Sequence, residues 1–505
     1  MARFLQFEDV SFAYPGMPSP LLAHVTAMIP QGGWTGVVGA NGAGKTTLLK
    51  LAAGELSPAQ GAVRGIGAAQ YVVQRTDEPP AEWDDFMNAW DGVAMDARKL
   101  LGVSDDWYER WDTLSHGERK RVQIAIALWH RPDVLALDEP TNHLDAAAKR
   151  VLLDTLKSFR GAGLVVSHDR EFLDALCGQC LFVFPPSAVM RPGGVSRGME
   201  ADRREQSSAQ ATHATNCAKA RQLRAAAQNR REMAEQSAAR TSKVKRLRPA
   251  NDPDGRFKRR LAQLTNKDGW GLSRAAALKS RAAKIAASGP AVRVEYKTGF
   301  WLDGAGRSKR DVLADLPAGE LPLGDGRTLV HRGLRVLPDD RIAISGANGL
   351  GKTTLVKHLL AHANLPEERV LYVPQEIDEA GCRAIKAEVA RLDDEPLGRL
   401  MTLVSRLGSR PARLLASDVP SPGEIRKLIL ARGVDRGPHL IVLDEPTNHL
   451  DLPSIECLED ALRDVPCALV MVSHDARFAA ALARTEWRLT ATPAGSEVSP
   501  RPMPA

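Results

Sequence analysis

Short, uninterrupted apolar runs recur toward both ends of the chain, and several end in a glycine-rich loop or an acidic pair. Residues 35–38 and 341–345 predict strands entering Gly-rich loops. Residues 134–137, 440–443, 164–166 and 468–472 are continuous apolar runs, the pattern of strands buried on both faces. Residues 46–53 and 353–360 favour helix, and Gly54 follows the first as a stop signal. Strands alternating with helices predict an α/β fold, a mostly parallel sheet covered on both sides. Ligands of such sheets sit beyond the carboxyl ends of the strands.

The middle of the chain reads differently. Residues 199–248 contain neither Gly nor Pro and are rich in Ala, Arg, Gln and Glu, which are strong helix formers. Fully helical, those residues would reach about 75 Å. Pro249-Ala-Asn-Asp-Pro-Asp-Gly255 is a turn cluster. Residues 256–268 and 272–288 read as helix again, interrupted by Gly269 and Gly271 and closed by Gly289-Pro290. The expectation is an antiparallel helical hairpin bent near 249–255. The Pro/Ser-rich end, from Thr492 on, is expected to be disordered.

The two ends are copies of one another. Gly39-Ala-Asn-Gly-Ala-Gly-Lys-Thr46 returns as Gly346-Ala-Asn-Gly-Leu-Gly-Lys-Thr353. Leu137-Asp-Glu-Pro-Thr-Asn-His-Leu-Asp145 returns unchanged as Leu443 to Asp451, and Ser167-His-Asp169 returns as Ser473-His-Asp475. The offsets are 307, 306 and 306 residues. Three motifs in one order and nearly one register identify a duplicated domain.

Charge separates the middle from its flanks. Residues 201–286 carry 21 Lys and Arg against 7 Asp and Glu, a net +14, while the whole chain is +7, so the rest is −7. A basic segment between acidic flanks points to an anionic partner or to a solvated linker. No run of 18 apolar residues occurs in the 505, which excludes a helix spanning a bilayer. The first residues lack a secretory h-region, and six cysteines are too few for a disulfide framework. A cytoplasmic location is expected.

The repeated loops carry the chemistry. G-x-x-x-x-G-K-[ST] lets backbone N–H groups converge on phosphate oxygens at a helix N-terminus. Gly39, Asn41, Gly42, Gly44, Lys45, Thr46 and Thr47 form one cradle; Gly346, Asn348, Gly349, Gly351, Lys352, Thr353 and Thr354 form the other. The lysines reach phosphates, and Thr46 and Thr353 suit Mg²⁺. Asp138 and Asp444 end apolar strands where a carboxylate reaches the metal, and Glu139 and Glu445 stand ready to activate water. His168 and His474 follow strands at the same rim, while Gln74 and Gln375 end Tyr-Val-x-Gln stretches and suit Mg²⁺ or the attacking water. Ser115, Gly117 and Glu118, and likewise Ser421, Gly423 and Glu424, open helices whose N-termini can bind an anion. The pair Cys177 and Cys180 has no second pair at zinc spacing, so packing is the expected role. Trp83, Trp90, Trp107, Trp111 and Trp129 read as packing residues.

This combination resembles the ATP-binding cassette proteins over residues 1–185 and 291–490, and the wording Asp-Glu-Pro-Thr-Asn-His-Leu-Asp looks like their ABC-F subfamily. The linker stretch from Asn251 to Gly269 is similar to ABC-F members of the ribosome-protecting, antibiotic-resistance type. The resemblance implies two P-loop cassettes, residues 1–190 and 291–492, joined by a basic helical linker, 191–290, with a tail at 493–505. It implies two ATP with Mg²⁺ held head to tail. One site combines Lys45, Thr46, Asp138, Glu139 and His168 with Ser421 and Gly423. The other combines Lys352, Thr353, Asp444, Glu445 and His474 with Ser115 and Gly117. Tyr14 corresponds to the aromatic that stacks on adenine, and the second cassette has no clear counterpart. His116 and Pro420 depart from the usual signature Leu-Ser-Gly-Gly-Glu. The 41 positions from Gln74 to Ser115 leave little room for the arm insertion of some members.

The resemblance further implies a cytosolic, monomeric ATPase acting on the ribosome, as a translation factor or in resistance. Its linker would contact tRNA and rRNA. Lys243, Lys245, Arg246 and Arg248, before the bend, and Arg256, Lys258, Arg259 and Arg260, after it, are the expected RNA contacts. The alternative is an ATPase subunit energising a membrane transporter, which does not require a long basic hairpin between copies.

Overall fold

The computed structural model describes residues 4–65, 67–142, 144–246, 267–288, 305–324, 326–407, 422–448 and 450–503. It divides into two compact units. Residues 1–198 and 296–505 form one, and residues 199–295 the other.

In the first half of the larger unit, β1 (Phe4–Phe12), β2 (Leu22–Pro30) and β4 (Gln60–Arg64) make a small antiparallel sheet ordered β2-β1-β4. β3 (Gly33–Gly39) leads into α1 (Lys45–Ala52). A six-stranded sheet follows the order β5-β6-β7-β3-β8-β9, with β5 (Ala69–Val72), β6 (Val134–Asp138), β7 (Ala162–Val166), β8 (Gln179–Phe184) and β9 (Ser187–Pro192). Its pairs are parallel except β8 with β9. β6 and β7 are buried at every position, as their unbroken apolar runs predict. Between Gln74 and Ser115 lie only α2 (Trp83–Asn88), α3 (Gly92–Leu101) and a 3-10 turn, so this span holds no long arm. Then come α4 (His116–Trp129), α5 (Ala146–Lys157) and α6 (Arg170–Leu176). Gly54 ends the first helix region in the left-handed conformation, φ 76°, as a helix stop should.

The second half repeats this plan with β10 (Ala314–Leu316), β11 (Gly319–Gly324), β12 (Arg327–His331), β13 (Leu334–Val336), β14 (Arg341–Ser345), β15 (Val370–Val373), β16 (Leu440–Asp444), β17 (Ala468–Val472), β18 (Thr485–Thr492) and β19 (Gly495–Pro502). The main sheet runs β11-β12-β19-β18-β14-β17-β16-β15.

The tail expected to be disordered is instead β19. It pairs antiparallel along the length of β18 and parallel with β12 over Gly495 to Val498. Ser496 and Val498 are buried where both neighbours flank them. Pro500 and Pro502 fall beyond the β12 pairing, where a missing N–H costs no ladder bond. Composition suggested a loop; alternation and an open sheet edge decided for a strand.

The described residues of the smaller unit are helical. α7 (Val195–Arg246) enters it from the larger unit, and α8 (Lys267–Ala287) lies wholly inside it. Ala220 and Ala227 on α7, and Ala275 and Ala282 on α8, are buried at seven-residue spacing, the period of a helix-packing seam. Gly269 and Gly271 do not interrupt α8, since two glycines at about 1 kcal/mol each are outweighed by propagation through their neighbours. The proposed bend at 249–255 lies outside the described residues.

Helices of the second cassette are α9 (Lys352–Ala361), α10 (Glu379–Val389), α11 (Asp394–Arg406), α12 (Pro422–Asp435), α13 (Leu452–Arg463) and α14 (Ala476–Leu482).

Candidate nucleotide-binding and hydrolytic sites

Each Gly-rich loop bridges a buried central strand and a helix. Gly44 and Gly351 stand at the helix N-caps with φ 97° and 92°, a left-handed conformation that glycine adopts without strain. A Cβ on Gly351 would also lie 2.4 Å from Leu323. Lys45 Nζ donates to the carbonyls of Gly39 (2.9 Å) and Ala40 (3.1 Å), and Lys352 Nζ to those of Gly346 (2.9 Å) and Ala347 (3.1 Å). Both ammonium groups fold onto their own loops. Burial lowers both pKa values, against the pull of Glu139 on Lys45 and of Glu445 on Lys352.

Strands β6 and β16 deliver the carboxylates. Thr46 Oγ1 donates to Asp138 Oδ2 at 2.7 Å, and Thr353 Oγ1 to Asp444 Oδ2 at 2.8 Å. Tyr71 also donates to Asp138, at 3.1 Å. Burial raises both aspartates above the ordinary carboxylate range, opposed by the threonine hydrogen bonds. Gln375 Oε1 accepts from Thr353 at 3.5 Å. Gln74 does not join its threonine in the same way: its side chain is exposed, and its backbone carbonyl accepts from Lys120.

Glu139 and Glu445 both have φ 49°, unusual for a residue with a side chain. Their backbone N–H groups are held by the carbonyls of Val166 and Val472, each at 2.9 Å, which holds the strained turn in place. His168 Nε2 lies 2.9 Å from Glu139 Oε1, and His474 Nε2 3.4 Å from Glu445 Oε1. Burial raises Glu139, but the His168 charge and hydrogen bonds outweigh it and leave the pKa lowered. Burial pushes Glu445 up to about 7 despite the His474 N–H and Lys352. His474 Nε2 stands 3.0 Å from Asn348 Oδ1 as well, so the second histidine is shared with the phosphate loop.

Ser115 caps α4 in a reciprocal box: Glu118 N–H donates to Ser115 Oγ, and Ser115 N–H to Glu118 Oε2. His116, the departure from a small residue, has Nδ1 2.9 Å from Thr76 Oγ1. Gly423 and Glu424 open α12; Ser421 and Pro420 lie outside the described residues.

The halves face one another. Asn41 N–H donates to Asp451 Oδ2 at 2.7 Å, and Asn348 N–H to Asp145 Oδ2 at 3.4 Å. Each phosphate loop thus meets the aspartate that follows the other half's carboxylate strand. Arg170 Nη2 pairs with Glu459 Oε2 at 2.8 Å across the same interface, with both side chains largely buried. The sequence reading did not single out Asp145 and Asp451, although both close the duplicated nonapeptide. It also missed Lys120 and Arg426, cations at one repeat position, each 2% exposed. Lys120 donates to the Gln74 carbonyl at 3.0 Å, and Arg426 to that of Gln375 at 2.6 Å. A cation repeated five residues after Ser115 and after Ser421 was the signal.

Cys177 and Cys180 pack behind Gly36, and burial raises both thiols, Cys180 to about 12. Among the described residues, no group of three or more His, Cys, Asp or Glu is arranged to hold a metal. Trp83, Trp107 and Trp111 are buried, but Trp90 is 75% exposed. Side chains of Lys243, Lys245 and Arg246 lie outside the described residues, as do Arg248, Arg256, Lys258, Arg259 and Arg260 altogether.

Fold and loops together define a P-loop protein with a buried acidic pair at the end of a central strand in each half. A family model described as "ABC transporter" matches residues 22–142 and 331–448. The tylosin resistance ATP-binding protein TlrC of Streptomyces fradiae is 30% identical over 90% of this chain and 92% of its own. The ATP-binding protein Uup of Caulobacter vibrioides is 30% identical over 88% of this chain and 70% of its own. The ribosome protection protein VmlR of Bacillus subtilis is 27% identical over 95% and 85%. An archaeal ribosome recycling factor, aABCE1, shares the fold with a TM-score of 0.61 at 19% identity, over 98% of this chain and 90% of its own. The chain belongs to the ATP-binding cassette proteins, in their ABC-F branch, and is an ATPase.

Proposed function

We propose that this protein is a cytosolic, monomeric ATPase that closes on two Mg²⁺–ATP and acts on the ribosome, its linker contacting rRNA or tRNA. The observation that carries the reading is the +14 segment, residues 201–286, set in sequence between two cassettes that face one another. The names of its relatives support it: a ribosome protection protein, a tylosin resistance protein and an energy-dependent translational throttle protein. No described helix is long and apolar enough to cross a membrane.

Phosphates enter each cradle and take over the lysine ammonium from the loop carbonyls. The water attacks the γ-phosphorus as the bond to the ADP oxygen breaks; Glu139 or Glu445 accepts its proton. His168 and His474 hold these carboxylates in place. Asp444 Oδ1 is buried without a hydrogen bond among the described residues, and the surrounding donors are oxygens, which suits a hard divalent cation. Thr46 and Asp138 would hold Mg²⁺ in one site, and Thr353, Asp444 and Gln375 in the other. The ion would neutralise phosphate charge. Ser115, Gly117 and Glu118 complete the second site, and Ser421, Gly423 and Glu424 the first.

Tyr14 is 37% exposed, stands edge-on to Phe12, and its hydroxyl lies 3.0 Å from Thr47 Oγ1. Its ring is available to adenine. Tyr14→Ala is expected to weaken ATP binding at the first site about tenfold, since a base stack contributes about 1–3 kcal/mol. Titration with a fluorescent ATP analogue in a Lys352→Ala background reads that site alone.

The partner is tested by placing a photoactivatable side chain at position 252 and irradiating with ribosomes and ATP. Cross-links to rRNA or tRNA are expected. Cross-links to membrane protein alone, or to no ribosomal component, would contradict the assignment.

A further inference from the structure

Lys149 breaks the internal repeat. It stands on α5, four residues after Asp145; the matching position after Asp451 is Ile455. Ile455 is a fully buried hydrocarbon side chain. Lys149 instead crosses the cassette interface. Its Nζ lies 2.6 Å from Asp169 Oδ2, and it donates to the backbone carbonyl of His474 in the other half at 3.1 Å. The pair is well shielded, with side chains 18% and 14% exposed.

Both ends of this bridge are fixed. Asp169 caps α6, accepting from Phe172 N–H at 3.0 Å, and its own N–H donates to Ser167 Oγ at 3.0 Å. At the other end, His474 N–H donates to Glu445 Oε2 at 3.2 Å. The peptide groups flanking His474 are therefore held on one side by the carboxylate and on the other by Lys149. A continuous chain runs from Asp169 through Lys149 and His474 to Glu445. It lines a small polar cavity between the two sites, with Thr141 and Thr447 on its walls. Ile455 has no donor to offer the carbonyl of His168, so the repeat does not build the same tie on the opposite side.

The neighbouring cross-interface pair shares this asymmetry. Arg170 and Glu459 correspond to Ala476 and Leu153 in the repeat. Both ties reach from a cation of the first cassette to the second.

We propose that Lys149 is a positioning residue for one of the two hydrolytic sites, fixing the His474 loop so that Glu445 is aligned only when the cassettes meet. The proposal rests on the reading of Glu139 and Glu445 as the hydrolytic carboxylates. Lys149 acts through the backbone of His474. Turnover at the Glu445 site thereby depends on a side chain from the opposite half, whereas the Glu139 site lacks this tie.

The test uses full-length protein in two backgrounds. Glu139→Gln leaves the Glu445 site to hydrolyse, and Glu445→Gln leaves the Glu139 site. Lys149→Ile, the residue the second copy carries, is introduced into each, with Lys149→Met as a second variant and Lys149→Arg as the conservative one. In the Glu139→Gln background kcat is expected to fall about tenfold, the scale of a small misplacement of a reacting group. KM for ATP should stay within about twofold, and Lys149→Arg should restore most of the rate. In the Glu445→Gln background the same changes should move kcat less than about twofold. Equal losses in both backgrounds, a rise in KM at constant kcat, or no change in either overturns the proposal. If both parent variants hydrolyse ATP at the unsubstituted rate, the reading of the glutamates fails instead, and this shows before Lys149 is altered.

Discussion

Glutamine in place of both Glu139 and Glu445 is expected to lower steady-state ATP turnover by about 10³-fold, within the range for loss of a general base. Each carboxylate is buried, held at φ 49° by a backbone hydrogen bond, and contacted by a histidine from the next strand. Glutamine preserves size and keeps an oxygen for the His168 and His474 N–H groups, so the turn should survive. It cannot accept the proton that leaves the attacking water. ATP binding should therefore persist, because the phosphate loops, Lys45 and Lys352 are untouched. The check is a phosphate-release assay beside a filter-binding measurement of ATP retained per chain, with about two expected. Lost turnover with lost retention would mean the site collapsed. Unchanged turnover would remove these glutamates from the chemistry.

The second large effect belongs to the linker. Replacing Lys243, Lys245, Arg246 and Arg248 by Gln is expected to weaken ribosome association most at low salt. The plot of log affinity against log salt should become shallower by about 3, at roughly 0.7–0.9 for each phosphate no longer neutralised. Gln is a good helix former, so the circular dichroism of the helical unit should hold. ATP turnover without ribosomes should also hold, because these residues stand far along the sequence from every phosphate-loop motif. A uniform loss of affinity with an unchanged slope would mean that the four cations do not meet phosphates.

The geometry of the glycine-rich loops and strand-end carboxylates was legible in the chain because its parts are local. A Gly-rich loop must have Gly where φ is positive, and a strand-end carboxylate follows its own apolar run. Thr46 with Asp138, and Thr353 with Asp444, meet as that logic requires. What escaped was decided by tertiary neighbours. β19 is Pro- and Ser-rich, yet β18 offered it an edge and its prolines fell where no ladder bond was needed. The bonds from Asn41 to Asp451 and from Asn348 to Asp145 join residues 410 and 203 positions apart. No periodicity encodes such a meeting. Gln74 and Gln375 look equivalent in sequence but differ in place, one exposed and the other beside Thr353. Lys149 was visible only as a mismatch between copies, and its meaning depends on the carbonyl it meets across the interface.

Sedimentation of the Glu139→Gln, Glu445→Gln protein through a sucrose gradient with ribosomes, once with ATP and once with ADP, tests the central claim most directly. Nucleotide-dependent closure on the ribosome predicts that the protein travels with ribosomes in ATP and stays at the top of the gradient in ADP. Equal distribution in the two nucleotides, or recovery with membranes when a whole extract is loaded, would contradict it.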